Sequence, residues 1–222
     1  MVSYNFFLAK KFTGKKKGDS FLWFINIFSI AGVSIGVIAL MLVIGVMNGF
    51  SKELKRKIVG AHPTIIIEGK PYIFDYDRVI ETTKKSNKEI KGISPYITTQ
   101  VIYKSNRYLL GGVLKGVSPK SEEDVTNLSN FVKQGDYKGL EDGILLGSEL
   151  ARELMVDVGD ELFVIMGLSA IQFPIKVVGI VEYGVYAFDS SMGFVSLDTL
   201  GNFLNIERQV HSIGIRIENI YQ

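Results

Sequence analysis

The sequence predicts an α+β fold carried on one long N-terminal helix, and three observations predict it. Residues 20–51 contain no Asp, Glu, Lys or Arg. Helical spacing then runs on through the basic segment 52–58 and stops only near Gly60 and Pro63. From Thr64 onward the pattern changes to short alternating apolar runs, the period of half-buried strands, broken by turn residues and short capped helices.

The first segment, 1–19, includes SYNFFLAKKF, which is aromatic, basic and short. It reads either as an interfacial helix on the inner membrane face or as a disordered tail. Residues 20–47 read as a transmembrane helix, because about 20 apolar residues span a bilayer core and this run exceeds that. A cleavable secretory signal would have an apolar region of about 7–15 residues followed by a small-residue cleavage site. This run is longer, and no Ala-x-Ala follows it. Five lysines precede the span (Lys10, Lys11, Lys15, Lys16, Lys17), and Lys52, Lys55, Arg56 and Lys57 follow it. These two sets barely discriminate orientation. A long domain can translocate whatever its charge, so we read the N-terminus as inside and the large domain as outside.

Within the span, Ser29, Gly32, Gly36 and Ala39 fall at i, i+3, i+7 and i+10, on one narrow stripe. Small residues on a stripe let a second helix backbone approach closely in lipid. Gly45 and Gly49 repeat the small-xxx-small spacing.

Residues 48–62 read as a stalk continuing the same helix. Met47, Phe50, Leu54 and Ile58 share a face, and Glu53 and Lys57 form a favourable i, i+4 pair. Asp19 or Ser20 offers the N-cap, and Gly60 with Pro63 supplies the stop. One helix over 20–59 would be about 60 Å long, roughly twice the hydrocarbon core, so half of it stands outside lipid. The basic run also suits anionic headgroups.

Residues 63–222 read as an α+β domain. TIIIEG, PYITTQVIYKS, RYLLGGVLKGV, GILLG, DELFVIMG, FPIKVVGIVE, GFVSL and HSIGIRIE are its expected strands. Its expected helices open at Asp75 or Asp77, at Ser121 with a capping-box spacing, at Ser148 and at Asp198.

The sequence excludes several chemistries. There is no cysteine, hence no disulfide framework, zinc-thiolate site or thiol nucleophile. A net charge of +2 does not make a polyanion binder, so no nucleic-acid partner is expected. GKKKGDS at Gly14 has the wrong spacing for a P-loop, and H-E-x-x-H and G-x-S-x-G are absent. His62 and His211 are isolated and read as turn or surface residues. The acidic runs at Asp75 and Asp77 and at Glu122, Glu123 and Asp124 read as helix-start residues favoured by the macrodipole. We expect no catalytic, metal or cofactor site.

Several motifs carry a family resemblance. AKKF near the start, SIAGVSIGVIAL in the span and VIGVMNGFSKEL at the membrane exit belong together. Downstream stand GISPYI, with Ser94 and Pro95, GVSP from Gly116 to Pro119, ILLGSELARELMVDVGDEL and VVGIVEYGVYAFDSSMGFVSL. Over nearly the whole chain this resembles the membrane subunits of lipoprotein-releasing ABC transporters of the LolC/LolE type, in the FtsX/MacB-like permease superfamily. The resemblance implies a bacterial inner-membrane protein with a cytoplasmic N-terminus and a MacB-like periplasmic core domain. It implies as partners a separate LolD-like ATPase subunit, a second permease copy or paralogue, a lipoprotein cargo, a periplasmic lipoprotein carrier and membrane lipid. By the same analogy Val43, Val46, Met47 and Phe50 line the cavity for the cargo's acyl chains.

Two departures qualify it. The family continues into three further spans beyond the position of ENIYQ, which casts this chain as the N-terminal half of such a permease. The carrier-binding hook of LolC-type subunits is an extended insertion, whereas DELFVIM and FPIKVVG are here joined by little more than GLSAIQ. That implies a LolE-like role, or a homodimeric system with a different carrier contact. Two other readings stand beside the leading one: a MacB- or FtsX-like mechanotransmission permease acting on another envelope partner, and a single-span membrane-anchored binding module.

Overall fold

The computed structural model describes residues 7–8, 20–87, 89–167, 171–206 and 208–217, with side chains described for all of these but 20, 22 and 52–61. Most of the N-terminal segment 1–19 therefore lies outside the described residues, Asp19 with it, as do the side chains of Glu53, Leu54, Lys57 and Ile58. Part of the GLSAIQ join, 168–170, lies outside them too. Two compact units divide the chain between Lys55 and Arg56.

The first unit is dominated by helix α1, Ser20–Ala61, which has 42 residues and crosses the boundary without a break. Within it Trp23–Ser51 is long and apolar enough to cross a membrane, and none of its most apolar window is buried. Apolar side chains exposed along a helix are costly in water and favourable in lipid. Gly60 does not end the helix as expected; it ends one residue later, at Ala61, two before Pro63.

The second unit is built on a nine-stranded mixed sheet: β1 Ile65–Phe74, β2 Ile90–Lys104, β3 Leu109–Val117, β4 Val132–Gly135, β5 Ile144–Gly147, β6 Glu161–Met166, β7 Ile171–Val181, β8 Met192–Ser196 and β9 Gln209–Ile217. Their order is β1-β9-β2-β3-β8-β5-β7-β4, with β6 pairing both β2 and β7. Strands β2, β3, β8, β5, β7 and β6 thus close into a ring, while β1–β9 and β4 extend it. The closure is possible because β2 is long: its start pairs β9 and its far end pairs β6, at Ile102 opposite Ile165. Strand β5 has neighbours on both sides and is buried at every position, as its unbroken apolar text requires.

Of the four expected helix starts, those at Ser121 and Asp198 move, and that at Ser148 holds. Helix α2, Tyr76–Ser86, follows Asp75, which adopts a left-handed conformation and makes no side-chain cap. Helix α3, Pro119–Thr126, starts two residues before Ser121, because Pro119 fits the first turn and Ser118 takes the cap position. Helix α4 is Ser148–Leu154, after Gly147. A short turn of helix, α5, Tyr186–Asp189, was not expected, and neither was β4, whose VKQG text carries a single apolar side chain. Helix α6, Leu197–Leu204, is capped by Ser196, which accepts from the Thr199 N–H, so Asp198 lies inside its first turn.

The main core fills the ring with Tyr103, Leu114, Ile144, Leu146, Leu162, Val164 and Val177, joined by Leu150 and Leu154 of α4. A second cluster gathers Val117, Leu128, Leu140, Leu145, Val181, Tyr183 and Phe194.

Candidate lipid-facing surface and coupling junction

Each residue singled out in the span is exposed. Val43 is 60%, Val46 70%, Met47 58% and Phe50 64% accessible. Ser29, Gly32, Gly36 and Ala39 are exposed as well, and a Cβ placed on Gly32 or Gly36 would meet nothing within 4 Å. An α-helix advances about 100° per residue, and on that rotation both sets fall on one face of α1. The face is flat where the small residues stand and bulky where the apolar text approaches the basic run. Small residues on a helix face let a second helix backbone approach closely in lipid, and methionine is the most adaptable of the apolar side chains in the second part.

The second unit receives the chain at residues 62–64. The Thr64 N–H donates to the Ile215 carbonyl oxygen at 2.8 Å, the first rung beside β9. Pro63 lies against Gly214, where an added Cβ would come within 2.9 Å of the proline ring. The His62 ring meets Phe188 at 4.9 Å, tilted by 56°. Partial burial and the nearby Lys115 ammonium push the His62 pKa below the usual histidine value, and the Glu122 carboxylate partly offsets this.

Lys115 and Glu122 form a buried ion pair, with Lys115 Nζ 2.7 Å from Glu122 Oε1. Thr126 Oγ1 donates to the same carboxylate oxygen at 3.2 Å, and Lys115 Nζ stands 4.5 Å from the centre of the Tyr96 ring. Both charges have a partner, which is the condition for burying them at tolerable cost. Glu122 is therefore more than a helix-start acid. The legible signal was Lys115, the one charged residue in LLGGVLKGV.

The loop 182–191 holds Phe188 in place through Asp189. Asp189 is 3% exposed, and its carboxylate accepts three successive backbone N–H groups, from Tyr183 at 2.8 Å, Gly184 at 2.9 Å and Val185 at 3.1 Å. Gly184 supplies the left-handed conformation (φ 72°) that turns these donors inward. Behind the loop, the Tyr183 ring packs at a tilt 4.4 Å from Phe131 and 6.3 Å from Phe194. Nothing in the sequence marked Asp189 apart from the other acids.

His211 lies in β9, stacked 4.9 Å from Tyr72, and its Nδ1 accepts from the Thr98 N–H. Its pKa is also lowered, chiefly by burial. Among the described residues no group of three His, Asp or Glu side chains stands close enough to hold a metal ion.

Residues 27–220 match the MacB-like periplasmic core domain, and the chain belongs to that family. Its relatives include the lipoprotein-releasing system transmembrane protein LolC of Neisseria meningitidis serogroup B, 27% identical over 98% of this chain and 55% of the relative. They also include LolE of Haemophilus influenzae, 30% identical over 70% of this chain and 39% of the relative. The chain spans about half the length of the curated LolC proteins it matches, 55% and 51% of two of them. Among solved structures, the periplasmic region of MacB from Actinobacillus actinomycetemcomitans aligns with a TM-score of 0.52 and 16% identity, covering 76% of this chain and 79% of that one. The extracellular domain of the ABC-type transporter YknZ from Gram-positive bacteria aligns with a TM-score of 0.50 and 14% identity, covering 68% and 76%. These two likenesses concern the fold.

Proposed function

We propose that the chain forms the N-terminal part of the permease subunit of a lipoprotein-releasing ABC transporter in the bacterial inner membrane. One observation carries this reading: similarity to a LolC protein extends through 98% of the chain, helix and domain alike. In this reading 1–19 is cytoplasmic or interfacial, 20–47 spans the membrane, 48–62 is the stalk and 63–222 lies in the periplasm. ATP hydrolysis belongs to a separate LolD-like subunit, and its movement reaches the outer domain through the helix. Ser29, Gly32, Gly36 and Ala39 pack against a helix of the same or a second permease chain. Val43, Val46, Met47 and Phe50 form the wall against which the cargo's acyl chains rest. A periplasmic carrier then takes up the released lipoprotein.

A photo-crosslinker at position 47 tests the wall assignment. Crosslinks to lipoprotein are expected, and crosslinks to bulk lipid alone would sink it. Depletion of the protein tests the cargo: lipoproteins should accumulate in the inner membrane.

The match to the MacB-like family supports a second reading, a mechanotransmission permease that works on another envelope partner. Depletion without lipoprotein accumulation would favour it.

A further inference from the structure

The permease reading leaves open what holds the outer domain to the chain that pulls on it. Within the second unit, three contacts meet the segment that follows α1: the Thr64–Ile215 hydrogen bond, Pro63 against Gly214 and His62 against Phe188. The first two arise from the edge of the sheet. The third depends on a loop whose ends are tied by the Glu182 N–H to the Phe131 carbonyl and by the Val113 N–H of β3 to the Ser191 carbonyl, and whose turn is gathered by the Asp189 carboxylate.

We propose that Asp189 is a positioning residue for the coupling junction: it locks the loop 182–191 so that Phe188 receives His62. The proposal rests on the permease reading for its purpose, but not for its geometry. A carboxylate accepting several backbone N–H groups is a strong, charge-assisted lock. The loop is fixed from several directions. The Asp189 N–H donates back to the Val185 carbonyl at 3.0 Å, and the Phe188 N–H donates to the same oxygen at 2.9 Å. Gly147, at the end of β5, leaves no room for a Cβ beside the Asp189 backbone, so the loop seats directly on the sheet. Phe188 stands edge-on to Tyr183 at 6.3 Å, and Tyr183 in turn packs on Phe131 and Phe194. His62 is thus backed by a row of aromatic rings reaching the second core cluster. A contact so backed passes displacement on, because packed interiors deform little.

The chain contains two histidines, His62 at the junction and His211 in β9, and they make the test internally controlled. Their ring signals can be titrated by NMR in the 222-residue chain held in detergent. In the unaltered chain both should titrate below the usual histidine value, His62 through partial burial and the nearby Lys115 ammonium, His211 chiefly through burial. In Phe188→Ala and Asp189→Ala the His62 midpoint should rise toward the usual value, while His211 stays where it was. Asp189→Asn keeps the shape and loses the charge, so its His62 midpoint should fall between. A His62 midpoint unmoved in Phe188→Ala and Asp189→Ala would overturn the proposal. So would a joint shift of both histidines, which would mark a general loosening of the domain. In the assembled transporter, Asp189→Ala should lower lipoprotein release while ATP hydrolysis persists. Undiminished release with a displaced His62 would remove the coupling role and leave the permease reading intact. Loss of His62 positioning in a protein whose depletion spares lipoproteins would do the reverse.

Discussion

Helix α1 and the domain that follows it place the same kinds of residue in opposite surroundings. Leu40, Met41 and Leu42 on the helix are 61%, 68% and 64% exposed, whereas Ile144, Leu145 and Leu146 of β5 are each 0% exposed. The two stretches are equally apolar, so composition alone does not tell them apart. What separates them is company. A β5 side chain has a neighbouring strand on either side. The apolar window of α1 has no buried position among the described residues, and it must find lipid or another helix.

The sharpest way to break this comparison is to make one substitution in both places. Leu146→Ala should destabilise the domain by about 2–5 kcal/mol, the usual cost of emptying a closed core site. Leu42→Ala should leave the domain's denaturation midpoint unchanged. Equal effects in chemical denaturation would mean that the helix is part of the domain's core. Breaking the buried ion pair tests the polar side of the same contrast. Glu122→Ala strands the Lys115 ammonium, and a loss of about 3–5 kcal/mol is expected in the same assay.

A smaller effect follows from pH. The folded-state pKa of His62 and of His211 is depressed, so below the unfolded value, about 6.5, the unfolded chain binds more protons than the folded one. Stability should therefore be full above that pH and decline as pH falls from it toward the depressed folded values. The decline should shrink in His62→Gln and again in His62→Gln/His211→Gln. Thermal melts between about pH 7.5 and 5.5 would show it. The smallest effect concerns Thr64, whose buried Oγ1 has no hydrogen-bond partner among the described residues. Thr64→Val keeps the shape and removes the unsatisfied group, so it should raise the denaturation midpoint by an amount worth about 1 kcal/mol.

Much of this was legible in the sequence, for different physical reasons. The helix was legible because 20–51 holds no charge for water to solvate, and its continuation because no proline interrupts it before Pro63. The main strands were legible from alternation and from the apolar run of β5. Strand β4 was not, since Val132, Lys133, Gln134 and Gly135 offer no apolar face. Strand order was not legible either: the double pairing of β6 is a long-range choice that no local pattern encodes. In the junction, His62 was visible only as an isolated histidine. Its partner Phe188 lies far along the chain, and the lock at Asp189 depends on backbone donors that nearly every residue possesses. The exposed residues Val43, Val46, Met47 and Phe50 stand on one helix face as their spacing requires, and the crosslinking experiment decides what they touch.

The antiparallel pairing of β1 with β9 sets Ile65 opposite Ile215, so the start of the first strand and the end of the last lie side by side. Traction applied to both in one direction moves the sheet as a single plate. Traction that parts them acts on one rung at a time, beginning with Thr64, in the manner of a zip. The domain is therefore stiff to a shared pull and yielding to a divided one, and the direction of the load decides which behaviour it shows.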